Sequence, residues 1–268
     1  MLIPFKNKQI YVECHGEGAP IVILNGIMMS TASWKPFIVT LSKHNKLILL
    51  DFLDQGQSSK MDKGYDIAIQ ADVVKCALDA LRIEKAHFIG ISYGASVAMN
   101  FALMYPQYVD KMVLYNCIPY SSPWILAVGK SWQLARTSPE AYYYTAIPTI
   151  YSMDFYNNNQ DWLDRRKDFL MKNVFNNPEF LGAMERLSQS SATHDVRERL
   201  SEIKAKTLLV GGNADYLTPI SEQKYIHERI AGSSLVIMEG CGHAAMYEQP
   251  DIFASLLTGF VNSDSVIL

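Results

Sequence analysis

Cysteine is scarce in this chain: four in 268 residues, standing apart at Cys14, Cys76, Cys117 and Cys241. No two sit at C-x-x-C or a comparable metal-ligand spacing, which excludes the common zinc and redox motifs and gives no reason to expect a metal. A chain of this length can bury a sizeable core without disulfide staples, and scattered thiols are the pattern of a reducing compartment. Neither sign of charge dominates. The 24 Lys and Arg stand against 27 Asp and Glu, a formal net charge of −3. Without a basic surplus there is no electrostatic footprint for nucleic acid or for an anionic membrane surface. Long apolar runs are missing as well, since none approaches the roughly 20 residues of a membrane-spanning helix. The stretch Met1-Leu2-Ile3-Pro4-Phe5-Lys6 is too short for the apolar part of a secretion signal and contains a proline. The expectation is a cytoplasmic protein with neither a nucleic-acid nor a membrane partner.

What is present is an ordinary globular composition, 49% apolar and 19% charged, without internal repeats or low-complexity tracts. Short apolar, β-branched runs alternate with helix-period segments. That alternation predicts an α/β fold with a mostly parallel, doubly wound sheet. The runs are Ile21 to Leu24, Leu47 to Leu50, His87 to Ile89, Met112 to Tyr115, Thr207 to Val210 and Leu235 to Met238. Between them Ile67, Ala71, Val74, Leu78 and Leu81 recur at spacings of three and four, the stripe of a helix laid on a sheet. Further helices are expected over Ala95 to Met104, stopped by Pro106, and over Pro250 to Phe260.

One stretch breaks the alternation. From 118 to 195 there is no convincing buried strand, but there are many aromatics and helix-like charge clusters such as Asp161 to Asp168. The division predicted is a core of 1–117 and 196–268 with a helical cap inserted at 118–195. Aromatics in such an insertion can bind it to itself or turn inward over the sheet edge. Met28, Trp124, Tyr144 and Met153 are the nominated substrate contacts, on the reasoning that an apolar pocket lies beneath the cap.

The chemistry is concentrated in Gly90-Ile91-Ser92-Tyr93-Gly94. A bare G-x-S-x-G arises by chance in roughly one chain of this length in ten, so the pentapeptide alone says little. Its place between a buried strand and a helix says more. A tight strand-to-helix turn leaves room only for very small residues two before and two after the serine. The following helix also brings N–H groups and a positive dipole end to that point. A serine hydroxyl needs a base within hydrogen-bond reach to become a nucleophile. His243 lies in a glycine-rich loop directly after the sixth run, where an imidazole can reach over the carboxyl ends of the strands. His15, His44, His87, His194 and His227 occupy less suitable places. The imidazole in turn needs an orienting carboxylate. Asp215 follows the fifth run, whereas the end of the fourth offers Asn116, not an acid. Two backbone donors are needed for an oxyanion. Tyr93, next to the serine, is one; Ile27, after Asn25-Gly26, is the other nominee, with Met28 the nearest alternative.

With Ser92, Asp215 and His243 in that order, the chain resembles the α/β-hydrolase fold family, capped serine esterase type. The segment Asp51 to Ser58 looks like that family's D-x-x-G-x-G-x-S loop, and the likeness runs from about Lys8 to Phe260. Many relatives carry His-Gly where this chain has Asn25-Gly26. The resemblance implies a serine hydrolase that needs no cofactor and cleaves a small-molecule carboxylic ester through an acyl-enzyme. The same residues would equally serve a thioester, amide, lactone or C–C bond, acyl transfer, or a non-catalytic binding homologue. Monomer and homodimer are both left open.

Overall fold

The computed structural model describes residues 1–263. Eight strands form one sheet: β1 (Leu2–Phe5), β2 (Lys8–His15), β3 (Ala19–Leu24), β4 (Asn45–Leu50), β5 (Ala86–Ile91), β6 (Val109–Tyr115), β7 (Lys206–Gly212) and β8 (Ser234–Met238). Their order is β1-β2-β4-β3-β5-β6-β7-β8. The six from β4 to β8 pair in parallel, while β1 and β2 are joined antiparallel at one edge. The six apolar runs in the sequence are the parallel strands. Parallel strands are covered on both faces and therefore read as continuous apolar runs. The two antiparallel strands escaped that reading because β2 buries only alternate residues, Ile10 and Val12.

The helices in chain order are α1 (Ile38–Leu41), α2 (Ala68–Ala80), α3 (Tyr93–Met104), α4 (Pro123–Leu134), α5 (Pro139–Ala146), α6 (Met153–Asn158), α7 (Gln160–Asn173), α8 (Pro178–Ser190), α9 (Ile220–His227), α10 (Ala245–Glu248) and α11 (Pro250–Asn262). The sheet's period of two divides its side chains between two cores. Val22, Leu24, Ile48, Phe88 and Leu114 pack with Val74 of α2 and Val97 and Phe101 of α3. On the other face Ile23, Leu49, Ile89 and Val113 pack with Trp34 and with Phe253 and Leu257 of α11. Among the described residues, no helix is long and apolar enough to cross a membrane.

Between β6 and β7 the chain leaves the sheet and forms α4 to α8. Three of these helices start with proline behind a side-chain cap: Ser122 before Pro123, Ser138 before Pro139 and Asn177 before Pro178. Proline is well suited to the first turn, where its missing N–H leaves no intrahelical bond unmade. The helices share a small core of their own, including Tyr142, Tyr143, Tyr151, Leu163 and Phe175. A bridge between Tyr120 and Asp195 brings the two ends of the excursion together.

Candidate active site

β4 and β5 lie on opposite sides of β3. Where strand order reverses in this way, the loops at the carboxyl ends diverge and leave a crevice. Ser92 stands at that point, between β5 and α3, with φ 52° and ψ −113°. The positive φ is costly for a residue with a Cβ and persists only where the surroundings impose it. Here strand and helix are pressed together. A Cβ on Gly90 would lie 2.6 Å from Ala95 Cα, and one on Gly94 only 2.0 Å from the Leu24 carbonyl oxygen. Ser92 N donates to Tyr115 O at 2.9 Å, which ties the turn to β6.

The loop after β3 carries the second donor nominee. Neither the Ile27 nor the Tyr93 N–H has an acceptor among the described residues, and both residues line one cavity with Ser92 and His243. The loop is held from behind. Asn25 accepts from Trp34 Nε1 at 2.8 Å and donates to Leu50 O at 2.9 Å. Gln55 Nε2 donates to Gly26 O at 2.8 Å. Asp51 accepts from Thr31 N at 2.7 Å and Gln57 N at 2.8 Å, fixing the turn that presents Gln55. In that turn Asp54 has φ 72°, at the position of the motif's first glycine.

Asp215 and His243 leave adjacent parallel strands, β7 and β8, so their loops run side by side. Ala214 N donates to Cys241 O at 3.0 Å. Gly212 permits the approach, since a Cβ there would be 2.1 Å from Cys241 O. His243 Nδ1 is 2.8 Å from Asp215 Oδ2, which leaves Nε2 as the ring's other nitrogen. Asp215 is buried. Burial works to raise its carboxyl, but the charge and hydrogen bond of His243, with the Thr218 bonds, outweigh it and hold the group below the usual aspartate range. No hydrogen bond joins Ser92 Oγ to His243 in the described structure, although both face the cavity. Such bonds commonly tighten only when substrate is bound. Burial pushes the neighbouring Cys241 thiol up to about 12, so it stays protonated and is no rival nucleophile.

The cavity has a volume of about 940 Å³ and is roofed by the helices between β6 and β7. Met28 lines it. The other three nominated contacts do not, and that expectation is corrected: Trp124, Tyr144 and Met153 are 54%, 51% and 64% exposed. Trp124 Nε1 is spent on Tyr216 O at 2.9 Å. Tyr144 faces outward to Lys167 at 2.6 Å. Met153 opens the short helix α6 on its outer side. An aromatic-rich insertion does not reveal which of its faces turns inward until its helices are packed. The roof over the cavity is instead made by residues such as Ile125, Trp132, Ile147, Phe175 and Met184.

Two partners of the acid escaped the sequence reading, and a cationic residue of the helices between β6 and β7 joins them at the site. Asn116, with φ 48°, donates from Nδ2 to Asp215 Oδ2 at 2.9 Å and to Gly242 O at 3.2 Å. Thr218 Oγ1 donates to Asp215 Oδ2 at 2.6 Å; its place three residues after the acid was the available signal. Arg166 of α7 lines the cavity with its guanidinium 4.4 Å from the centre of the Tyr247 ring. Its Nε is buried without a hydrogen-bond partner, and no carboxylate pairs with it among the described residues. Also among the described residues, no three His, Cys, Asp or Glu are grouped to hold a metal ion.

Known proteins share this fold. A family model described as alpha/beta hydrolase fold matches residues 19–250. The solved structure of MGS-M2, an alpha/beta hydrolase enzyme from a Medee basin deep-sea metagenome library, is 41% identical with a TM-score of 0.97. The match covers 100% of this chain and 99% of that one. The 2-hydroxy-6-oxo-6-phenylhexa-2,4-dienoate hydrolase of Comamonas testosteroni is 28% identical over 92% of this chain and 88% of its own length. The 3-oxoadipate enol-lactonase 1 of Acinetobacter baylyi is 26% identical over 98% and 97%. These relatives support a general hydrolase function, and the chain belongs to the alpha/beta hydrolase fold family.

Proposed function

We propose that the protein is a serine hydrolase that cleaves a small-to-medium carboxylic ester through an acyl-enzyme. The observation that carries this reading is the convergence of loops from β3, β5, β7 and β8 on one apolar-lined cavity, with His243 already bonded to Asp215. Ser92 Oγ attacks the ester carbonyl carbon while His243 Nε2 takes its proton. The negative charge that forms on the carbonyl oxygen is received by the N–H groups of Ile27 and Tyr93. Collapse expels the alcohol, which takes the proton back from His243. A water then gives its proton to the same nitrogen and attacks the acyl carbon, releasing the acid and restoring Ser92. Asp215 holds the ring in the tautomer with Nδ1 protonated and stabilises its charged form. Residues 118–195 act in this scheme as a cap that excludes bulk water from the core of 1–117 and 196–268.

Ser92→Ala is expected to lower hydrolysis of p-nitrophenyl butyrate by several orders of magnitude, because triad members act as a unit. A fluorophosphonate probe should add to the unmutated chain at Ser92 and leave the variant unlabelled. Hydrolysis by Ser92→Ala near the unmutated rate would overturn the reading. A second reading has one observation in its favour: the Arg166 guanidinium, which no carboxylate neutralises among the described residues, suits a substrate that carries a carboxylate. In that case the bond attacked can be a C–C bond beside a ketone, and the Comamonas testosteroni relative is named as the hydrolase of a dienoate that carries an oxo group. Parallel assays of the two substrate types, with and without Arg166→Gln, separate the readings.

A further inference from the structure

Gln55 is buried beside the loop that carries Ile27 and, like it, lines the cavity. Its Nε2 donates to Gly26 O at 2.8 Å and reaches Ile27 O at 3.3 Å. Its Oε1 accepts from Asn25 Nδ2 at 3.2 Å and from Phe52 N at 3.4 Å, so the amide cannot turn over without losing these bonds. Its backbone carbonyl is gripped by Lys60 Nζ at 3.1 Å and by Ser58 N at 3.1 Å. Next to it, Asp54 is fixed by Arg186 Nη2 at 2.6 Å.

The Gly26 carbonyl and the Ile27 N–H are the two ends of one peptide unit. In a trans peptide they point in opposite directions within a plane, and no cis peptide occurs among the described residues. Whatever holds the carbonyl therefore aims the N–H. Having no Cβ, Gly26 puts little steric limit on its own ψ, one of the torsions about which this unit turns. The Met29 N–H already holds this carbonyl at 3.1 Å, and the side-chain donor of Gln55, placed on it as well, removes what freedom is left. It also polarises the amide, which strengthens the N–H as a donor in turn.

We propose that Gln55 is a positioning residue of the oxyanion hole, clamping the Gly26–Ile27 peptide so that the Ile27 N–H faces the carbonyl oxygen of the substrate. The proposal rests on the reading of Ile27 as an oxyanion donor. The clamp acts where charge develops in the transition state, so its loss falls on kcat more than on KM. Gln55→Glu keeps the shape and the Oε1 acceptor but replaces the donor. Gln55→Leu removes both.

The expected loss in kcat for either variant is about 10- to 100-fold, less than the full loss of an oxyanion donor, with KM changed by less than about threefold. Binding of a trifluoromethyl ketone, which forms a tetrahedral adduct, should weaken in step with kcat/KM. Binding of the secondary alcohol of the same shape, which has no carbonyl, should not change. Folded variants with unmutated kcat, or with both inhibitors weakened alike, overturn the clamp. Should neither variant fold, the structure of the unmutated chain with the ketone decides. The adduct oxygen is expected about 3 Å from Ile27 N and Tyr93 N, with Gln55 Nε2 still on Gly26 O; a Gly26–Ile27 peptide turned the other way overturns the proposal. Failure of the unmutated chain to hydrolyse esters or to react at Ser92 sinks the serine-esterase reading itself, whereas an active chain indifferent to both substitutions sinks only the role of Gln55.

Discussion

Asp215 takes hydrogen bonds on both carboxylate oxygens. Oδ1 accepts from Leu217 N at 2.8 Å and Thr218 N at 3.0 Å. Oδ2 accepts from Asn116 Nδ2 at 2.9 Å, Thr218 Oγ1 at 2.6 Å and His243 Nδ1 at 2.8 Å. These bonds favour the ionised form, and the folded carboxyl accordingly lies below its usual value despite burial. The sign of the linkage follows. An unfolded chain protonates this residue near about pH 3.9, before the folded chain does. The stabilisation is therefore complete above that pH and is lost as the pH falls through the folded value. Urea unfolding at neutral and acid pH should show a shallower acid loss in Asp215→Asn than in the unmutated chain. The same substitution presents an amide donor to His243 Nδ1 and favours the wrong tautomer, so kcat for ester hydrolysis should fall by roughly 10⁴. A variant that keeps most of its turnover would remove Asp215 from the mechanism.

Elements meet most closely at the turn around Ser92, where β3, β5 and α3 are in backbone contact. Gly94→Ala forces a Cβ against the Leu24 carbonyl, which is backbone and has no flexible end to yield. The expected cost is about 3 kcal/mol, the upper part of the range for overpacking. Gly259, in the exposed turn of α11, is the internal control: a Cβ there meets nothing within 4 Å among the described residues. Gly259→Ala should stabilise by about 0.5–1 kcal/mol, the helix-interior difference between the two residues. Opposite signs for one chemical change, read from thermal or urea unfolding, test whether close packing sets the geometry of the turn. Equal effects would show that it does not.

At the scale of the molecule, α8 packs Ala183, Met184 and Leu187 into the core beside the sheet, and polar contacts tie the helices between β6 and β7 to it as well. Arg186 of α8 bonds Asp54, whose side chain is fully buried. Ser190 Oγ meets the Tyr93 hydroxyl at 2.8 Å. Ala244 N, next to His243, donates to Ile150 O at 2.9 Å. The Glu248 carboxylate bridges Gly242 N at 3.0 Å and Ser152 N at 3.3 Å. The roof thus bears on both the serine turn and the histidine loop. Arg186→Ala leaves Asp54 buried and unpaired. The expected destabilisation is on the order of 2 kcal/mol, less than for a fully buried pair because Arg186 is 22% exposed. Limited proteolysis under native conditions should then cut first between 118 and 195, and KM should rise before the core unfolds. An unchanged cleavage pattern would mean that the ion pair does not hold the roof in place.

By itself, the sequence determined the parallel part of the sheet, because strands covered on both faces must be apolar throughout. It determined the turn at Ser92 as well, since only glycines at 90 and 94 allow strand and helix to touch. It also marked Asp215 and His243 as residues that follow the fifth and sixth runs, although it hides that these strands are neighbours whose loops share a hydrogen bond. The antiparallel strands β1 and β2 stayed hidden in half-buried alternation. Tertiary structure alone decided which aromatics of the insertion face the cavity, because helix packing chooses that face and composition does not. It alone placed Asn116 and Thr218 on Asp215 and Gln55 on the carbonyl of Gly26. These are contacts across the sheet or between loops, made by short polar side chains whose partners cannot be read from spacing along one chain.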